Sequence, residues 1–255
     1  MINSCIVYQE FSMKWLVFSR LILLLIVICS SFVLSAQDSF QPDRPGFSTG
    51  TYTLPKGEVY LEVGYLLSIP SSQYGSTIHS LPQSNIRFGL APKLELNLMW
   101  DGFSKVIGEK GFNAFDSFGV GAKFRVVYNQ RFNLSLLGIV TSSEDLSINP
   151  VFGVLWDYSL SEPLDLFGVV HLAHSKSNGV FSELSLGLAY SITSKISVFT
   201  EYFNSIGLSS QFLAHNGSVG ATYLITNNLQ LDIFYEKEIS PAGYNNLGAG
   251  LSKRF

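Results

Sequence analysis

Histidine, serine and asparagine side chains lie close together in one stretch, HLAHSKSNG, at residues 171–179. A nucleophilic serine needs a histidine base within hydrogen-bond reach, and on a β-strand a spacing of two residues puts both side chains on one face. Ser175 and Ser177 follow His174 by one and three residues, so both face away from it on a regular strand. A β-bulge could restore the geometry, but no acidic partner stands in register. An acyl hydrolase centred on His174 is therefore a minor alternative.

Metal and cofactor chemistry finds little support elsewhere in the chain. The four histidines, at positions 79, 171, 174 and 215, lie on separate predicted loops and strand ends. The sequence contains no phosphate-binding loop, no GxGxxG between a strand and a helix, and no zinc-type spacing. We therefore predict no catalytic residue, no metal and no cofactor, and expect that the protein is not an enzyme.

A third group of chemically active side chains recurs at one kind of position. These are charged residues on the polar side of segments in which apolar and polar residues alternate. If such segments close into a barrel, these side chains line its lumen and set its selectivity. The candidates are Glu62, Arg87, Glu95, Lys123, Arg125, Asp232 and Arg254.

The N-terminus has the layout of a secretory signal peptide. Residues 15–33 are almost uninterruptedly apolar, Lys14 and Arg20 lie at the front of this run, and Leu34, Ser35 and Ala36 end it. We predict a signal peptide over residues 1–36; an uncleaved membrane anchor is the alternative. Both cysteines lie within residues 1–36, so the mature chain would contain no thiol. It would carry 14 basic and 18 acidic residues, a balance that argues against a nucleic-acid partner.

The mature chain reads as a series of β-strands. Apolar residues alternate with polar ones over segments close to the ten-residue length with which a strand crosses a bilayer. No second apolar run of helical membrane-spanning length follows residue 36. The pattern predicts about twelve strands, at 57–69, 82–90, 93–102, 115–128, 131–141, 147–159, 163–174, 180–192, 195–206, 212–225, 228–239 and 244–255.

Loop lengths and face composition favour a membrane barrel. Short connections alternate with mostly longer loops rich in serine, glycine and asparagine, as in bacterial outer-membrane barrels. The polar face is glycine-rich with few charges, whereas a soluble sandwich should carry many lysines and glutamates on its outer face. Aromatic residues gather near segment ends, as interfacial girdles do. We predict an all-β, antiparallel transmembrane barrel over residues 57–255; a soluble β-sandwich or lipocalin-like barrel in the periplasm is the alternative.

The stretch before the first strand, DRPGFSTGTYTLPKGEVYLEVGY at residues 43–65, resembles the start of a family of bacterial outer-membrane proteins. The family is often called "transporter", or the MetA-pathway of phenol degradation family. The likeness rests on Asp43, Arg44 and Pro45, followed by a turn at Pro55, Lys56 and Gly57 that starts the first strand. It implies an outer-membrane β-barrel in a Gram-negative bacterium, and it carries over no catalytic or ligand residue.

Passive passage of small solutes, with hydrophobic or aromatic ones among the candidates, is the leading functional hypothesis. A plugged structural or binding barrel without transport is the alternative. Eight small residues on the predicted lumen face favour an open passage by leaving room on one wall: Gly64, Gly89, Gly119, Gly121, Ser185, Gly187, Gly248 and Gly250. The expected partners are outer-membrane lipid, the barrel assembly machinery and a small-molecule solute, and the barrel is expected to be a monomer.

Residues 37–56 are expected to form a periplasmic lead-in, because Pro42, Pro45 and Pro55 exclude a helix and a central strand. Asp43 and Arg44 could fold back against the barrel mouth and pair with Glu62, Asp232 or Arg254. A flexible, unpaired terminus is the equally weighted alternative.

Overall fold

All regular secondary structure in the described part of the chain is β-sheet. The structure is a computed structural model that describes residues 40–109, 117–143, 146–209, 213–239 and 243–255. The predicted signal peptide lies outside these residues. The strands are β1 (Val59–Pro70), β2 (Ile78–Ala91), β3 (Leu94–Trp100), β4 (Phe103–Val106), β5 (Ser117–Tyr128), β6 (Phe132–Ser143), β7 (Ile148–Ser161), β8 (Leu164–Ser175), β9 (Gly179–Ser191), β10 (Ile196–Gly207), β11 (Leu213–Thr226), β12 (Leu229–Glu238) and β13 (Tyr244–Arg254).

The strands close into a barrel of twelve antiparallel wall strands, which confirms the predicted fold class. Each wall strand pairs antiparallel with the wall strands before and after it in the chain, and β1 closes the barrel by pairing with both β2 and β13. β3 and β4 both pair with β2 and form one wall strand, interrupted at Asp101 and Gly102. At this break Gly102 has a φ of 80°, and a Cβ there would lie 2.4 Å from the Pro82 carbonyl oxygen.

The second wall strand is longer than the sequence pattern predicts. It begins at Ile78 rather than at residue 82, and its first residues pair with β4, from Ile78 with Val106 to Leu81 with Phe103. Pro82 interrupts the alternation of apolar and polar residues from which the start of this strand was predicted. In the structure it falls where the β1–β2 register shifts, and proline is tolerated at such an irregularity because no ladder donor is needed there.

The barrel exposes its apolar face and buries its polar one. Leu98 and Val120, paired between β3 and β5, are 46% and 48% exposed, whereas the neighbouring Asn97 and Lys123 point inward and are buried. A water-soluble sheet has the opposite arrangement, but a bilayer requires an apolar outer band. Among the described residues, no helix is long and apolar enough to cross a membrane.

The two ends of the barrel differ. One end carries the connections at 92–93, 129–131, 162–163, 192–195 and 227–228, together with both ends of the wall; we call it the short-turn end. Tyr128, Tyr190 and Tyr223 are exposed there. The opposite, long-loop end carries the remaining connections, most of which are longer. Residues 40–57, which we call the plug, lie inside the barrel, because they contact inward-facing side chains on strands all round the wall.

Candidate functional site: a plugged lumen

The plug enters and leaves the lumen at the short-turn end. Phe40 packs against Tyr60 near the start of β1, with ring centroids 4.9 Å apart. The chain then rises to a tip at Gly46, Phe47 and Ser48, and returns to Pro55, whose carbonyl oxygen lies against Gly89 near the end of β2. Among the described pairings, no plug residue belongs to a ladder of the wall. Gly57, the last plug residue, donates its N–H to the Gly89 carbonyl oxygen at 2.8 Å. Residues 40–56 are therefore an insert that wall side chains hold.

A buried ionic cluster joins the plug to β1, β2, β3 and β5. Arg87 Nε donates to Glu95 Oε1 at 2.8 Å and Arg87 Nη2 to Glu95 Oε2 at 2.9 Å, a two-point contact. Arg87 also pairs with Glu62 at 3.1 Å and with Asp43 of the plug at 3.2 Å. Lys123 Nζ lies 2.9 Å from both carboxylate oxygens of Asp43. The four wall side chains have no exposed surface, so their charges depend on one another and on the plug.

The same wall charges hold the plug backbone. Glu62 accepts the N–H groups of Asp43 and Arg44, both at 3.0 Å. Arg87 and Lys123 both donate to the Tyr52 carbonyl oxygen, at 3.0 and 3.1 Å. The proline-rich segment cannot pair its backbone N–H and C=O groups within a helix or a strand. Side chains of the wall form hydrogen bonds with these groups instead. Burial raises the pKa of the Tyr52 hydroxyl, and the nearby Glu58 carboxylate raises it further.

The Arg44 side chain lies in the space left by two glycines of the wall, Gly64 and Gly250. Its guanidinium donates at 3.3 and 3.4 Å to Asp232 on β12, which is the cross-strand partner of Gly250. A Cβ on Gly64 would lie 2.3 Å from this guanidinium, and one on Gly250 would lie 2.4 Å from it. These paired positions on β1 and β13 therefore admit the arginine only because neither carries a side chain.

The plug tip is held by β8, β9 and β10. Glu201 on β10 accepts the N–H groups of Phe47 at 3.0 Å and Ser48 at 3.1 Å, and also the Ser48 hydroxyl. The Ser48 and Ser185 hydroxyl oxygens are 2.5 Å apart, and Ser185 also accepts the Val169 N–H at 3.0 Å. The Phe47 ring packs on a small apolar cluster of Leu137, Leu155 and Val169.

The family model described as "Putative MetA-pathway of phenol degradation" matches residues 42–255. The chain belongs to this family. The match starts at Pro42, so the family pattern includes most of the plug as well as the whole barrel wall. The resemblance inferred from residues 43–65 is thereby confirmed and extends to residue 255.

Solved structures of outer-membrane channels share the fold of this family member. An outer membrane channel from Pseudomonas putida F1 is 16% identical, with a TM-score of 0.63 over 82% of this chain and 100% of that chain. A KdgM porin is 12% identical, with a TM-score of 0.57 over 76% of this chain and 99% of that chain. A NanC porin is 10% identical, with a TM-score of 0.55 over 76% and 98%. A search of curated proteins finds no match.

The predicted lumen residues fall into three groups. Glu62, Arg87, Glu95 and Lys123 come together in the ionic cluster, and Asp232 pairs separately with Arg44. In the structure, Asp43 and Arg44 dock onto Glu62 and Asp232. This is one of the two alternatives considered for the lead-in. Arg125 and Arg254 lie apart at the short-turn end, where they donate to loop groups at Pro92, Asn227 and Asn228.

The small lumen residues do not leave the room that the sequence suggested. Arg44 fills the space over Gly64 and Gly250, and the Pro55 carbonyl fills the space over Gly89. The Phe167 and Phe234 rings cover Gly187 and Gly248. That inference was wrong because a small residue on a lumen face admits a plug or a neighbouring ring as readily as it admits a solute.

The histidines lie apart from one another. His174 is exposed on the outer face of β8, while Ser175 and Ser177 contact each other in the following turn. His79 and His215 accept or donate hydrogen bonds with Tyr65 and Tyr202, respectively. Within the described residues, no three metal-ligating side chains come close enough to hold an ion. His171 points inward beside the plug tip.

Sequence reasoning placed Ser185 on the lumen face but did not connect it with the other residues of the plug tip. Glu201, Ser48, Ser185 and Phe47 belong to segments separated by up to 154 positions, and nothing in their local pattern distinguishes them. The one usable signal was charge: a lumen with buried acids and bases needs partners, and Asp43 with Arg44 offered both signs next to the first strand.

Proposed function

We propose that the chain is an outer-membrane channel for the passive passage of small solutes and that the plug is its gate. One observation carries the proposal: the plug enters and leaves by the same mouth and contributes no strand to the wall. It can therefore move out of the lumen without breaking any ladder hydrogen bond. Apart from the Gly57 N–H bond to the Gly89 carbonyl oxygen where the plug leaves the lumen, its polar contacts with the wall are hydrogen bonds and ion pairs to side chains, which water can replace when the plug moves.

The proposal places the barrel in the outer membrane of a Gram-negative bacterium, with the short-turn end toward the periplasm. The family, the apolar outer band and the fold shared with outer-membrane channels support this placement. A monomeric barrel assembled by the outer-membrane assembly machinery is the corresponding form. No residue carries a reaction in this reading.

Small apolar or aromatic solutes suit the lumen at the level of the plug tip. Phe47 and Phe203 stack there with ring centroids 4.2 Å apart, next to Leu137 and Ile139. The ionic cluster lies nearer the short-turn end and would meet a solute only after the plug has moved. In this reading its charges set the selectivity of the open state.

A reversible cross-link tests the gate. The Ser48 and Ser185 hydroxyl oxygens are 2.5 Å apart, close to the roughly 2.0 Å of a disulfide, and residues 37–255 contain no cysteine. The double variant Ser48→Cys, Ser185→Cys, refolded without the signal sequence, should be silent in a planar bilayer when oxidised and should conduct when reduced. The single variant Ser48→Cys is the matched control and should not respond to oxidant.

The possible outcomes separate gating from the absence of transport. Equal conductance of the oxidised and reduced double variant would show that the plug does not gate the barrel. Silence in both states, and in wild type, would favour the alternative of a closed binding barrel. The fully buried ionic cluster is the observation that supports this alternative, because its charges are already paired without a solute.

A further inference from the structure

An apolar groove crosses the outer face of the barrel from β8 to β12; we call it the outer groove. Its volume is about 520 Å³, and its exposed side chains include Leu186 and Leu188 on one side and Val219 and Tyr235 on the other. Thr200 is the cross-strand partner of both Leu188 and Val219. The groove therefore forms where a small side chain lies between larger ones on the lipid-facing surface.

Gly217 on β11 extends this groove toward the long-loop end. Tyr202 on β10 is its cross-strand partner, and a Cβ on Gly217 would meet no described atom within 4 Å. The space over this glycine is thus free of protein, unlike the space over the lumen glycines. Since the outer face of the barrel lies in hydrocarbon, an acyl chain is the group that fits there.

The long-loop end of the outer groove carries a cation. Lys237 on β12 is exposed and is the other cross-strand partner of Gly217. Beside it, the Tyr202 hydroxyl oxygen lies 2.5 Å from Nδ1 of His215, which holds the tyrosine ring at the edge of the groove. Tyrosine and lysine side chains of this kind are typical of the level at which hydrocarbon meets headgroups.

Lys237 has no acid beside it on the outer face. At the described outward positions of β9 to β13, the charged side chains are Lys237 and Lys253, which lie at opposite ends of the wall. Glu236 and Glu238 precede and follow Lys237 but alternate to the lumen side, where Glu236 accepts a hydrogen bond from Asn246 at 2.9 Å. An anion that pairs with Lys237 from outside the barrel must therefore come from the membrane.

We propose that the outer groove binds one lipid of the outer leaflet that carries a phosphorylated headgroup, a glycolipid of the lipid A type. One acyl chain lies in the groove over Thr200 and Gly217, and a headgroup phosphate pairs with Lys237. The inference rests on the orientation given in the proposed function, because it requires the long-loop end to lie in the outer leaflet. It does not require the plug to move.

The wild-type protein provides the first test. The refolded chain is released from detergent micelles that contain added lipid, and native mass spectrometry measures the fraction that retains one lipid molecule. The probes are diphosphorylated lipid A and dioleoylphosphatidylcholine, which has acyl chains but no net charge. We expect retention of lipid A to be about fivefold higher, because a lysine at the surface favours an anionic lipid by about this factor. Equal retention, or no complex with lipid A, would overturn the proposal.

Two glutamine variants locate the headgroup. Lys237→Gln should weaken the retention of lipid A about fivefold, because the phosphate loses its cation. Lys253→Gln removes an outward lysine at the short-turn end of β13 and should bind as wild type does. Unchanged retention in Lys237→Gln, or equal losses in both variants, would contradict the assignment of the phosphate to Lys237.

Two leucine variants locate the acyl chain. Gly217→Leu should fill the groove and lower the retention of lipid A several-fold. Gly138→Leu adds the same side chain to the outer face of β6, where a Cβ also meets no described atom within 4 Å, and should bind as wild type does. Leucine suits a strand better than glycine, so we expect both variants to refold with the heat-modifiable migration of wild type. Full retention in refolded Gly217→Leu would show that the lipid lies elsewhere.

These results are independent of conductance. A silent barrel whose lipid binding depends on Lys237 and Gly217 would contradict the channel but not this site. A conducting barrel in which neither variant changes lipid binding would contradict this site but not the channel.

Discussion

At the scale of single residues, the lumen is organised by buried charges that have no water to solvate them. Arg87 is the central one, because it contacts Glu62, Glu95, Asp43 and two plug carbonyl groups while having no exposed surface. A buried charge without its partner costs far more than a surface pair contributes. Residues of one chemical type therefore differ widely in importance according to their depth in the lumen.

Replacing Arg87 should show this difference. Arg87→Met leaves Glu62 and Glu95 without their shared cation, and we expect it to lower the free energy of unfolding by about 3–5 kcal/mol, measured by urea titration in micelles. Arg125→Met is the matched control, because Arg125 lies at the short-turn end and donates to the exposed Pro92 carbonyl. It should cost less than about 1 kcal/mol. Similar losses in the two variants would contradict the ionic cluster as a structural centre.

The effect of lumen charge on selectivity belongs to the same scale. Lys123→Ser removes a fully buried cation that faces Asp43 and Glu95, and should shift the reversal potential of any channel toward cation selectivity. Arg125→Ser should shift it less, because charge at an exposed mouth is screened by salt. The reversal potential under a tenfold salt gradient measures both; equal shifts would mean that solutes do not pass the ionic cluster.

At the scale of elements, the plug has an irregular backbone that side chains of the wall hold in place. Its prolines prevent it from joining the sheet, and its carbonyl and N–H groups are satisfied by wall side chains instead. The wall in turn provides glycines where the plug approaches most closely, at Gly64, Gly89 and Gly250. The plug and the inner face of the barrel are complementary surfaces.

A methyl group at Gly64 should weaken that complementarity. Gly64→Ala places a Cβ where the Arg44 guanidinium lies, so the arginine must leave Asp232, and we expect the open probability in single-channel recordings to rise several-fold. Gly217→Ala adds the same methyl group to the outer face of β11, where no atom lies within 4 Å. This control should behave as wild type. An unchanged open probability in Gly64→Ala would show that Arg44 does not restrain the plug.

At the scale of the whole molecule, the barrel has no free sheet edge because β13 pairs with β1. The last residue extends this seam: the Phe255 N–H donates to the Val59 carbonyl oxygen at 2.9 Å, while its ring is 69% exposed. The backbone contact belongs to the fold, but the exposed ring adds little to it.

Phe255→Ser should therefore leave the folding of the barrel unchanged. The variant removes the exposed ring but keeps the backbone bond to Val59, so we expect it to refold in detergent with the same heat-modifiable migration as wild type. Tyr128→Ser, which removes another exposed aromatic at the short-turn end, is the control and should refold equally well. Loss of refolding in Phe255→Ser alone would show that the ring itself holds the seam.

The amino-acid sequence by itself determined the wall. The alternation of apolar and polar residues can be recognised from neighbouring residues alone. When lipid surrounds a barrel, the apolar face of every strand points outward, so the polar faces line the interior. The number of wall strands and the inward side of Glu62, Arg87, Glu95, Lys123 and Asp232 follow from this local pattern, whereas the family follows from the resemblance of residues 43–65. The extended start of β2 did not, because Pro82 hides a strand that continues through an irregularity.

Only the tertiary structure decided what the lumen contains. The contacts of the plug join residues 18 to 188 positions apart, from Arg44 with Glu62 to Arg44 with Asp232, and no local pattern encodes such distances. Whether a glycine on the inner face opens a path or receives a side chain depends on what lies opposite it.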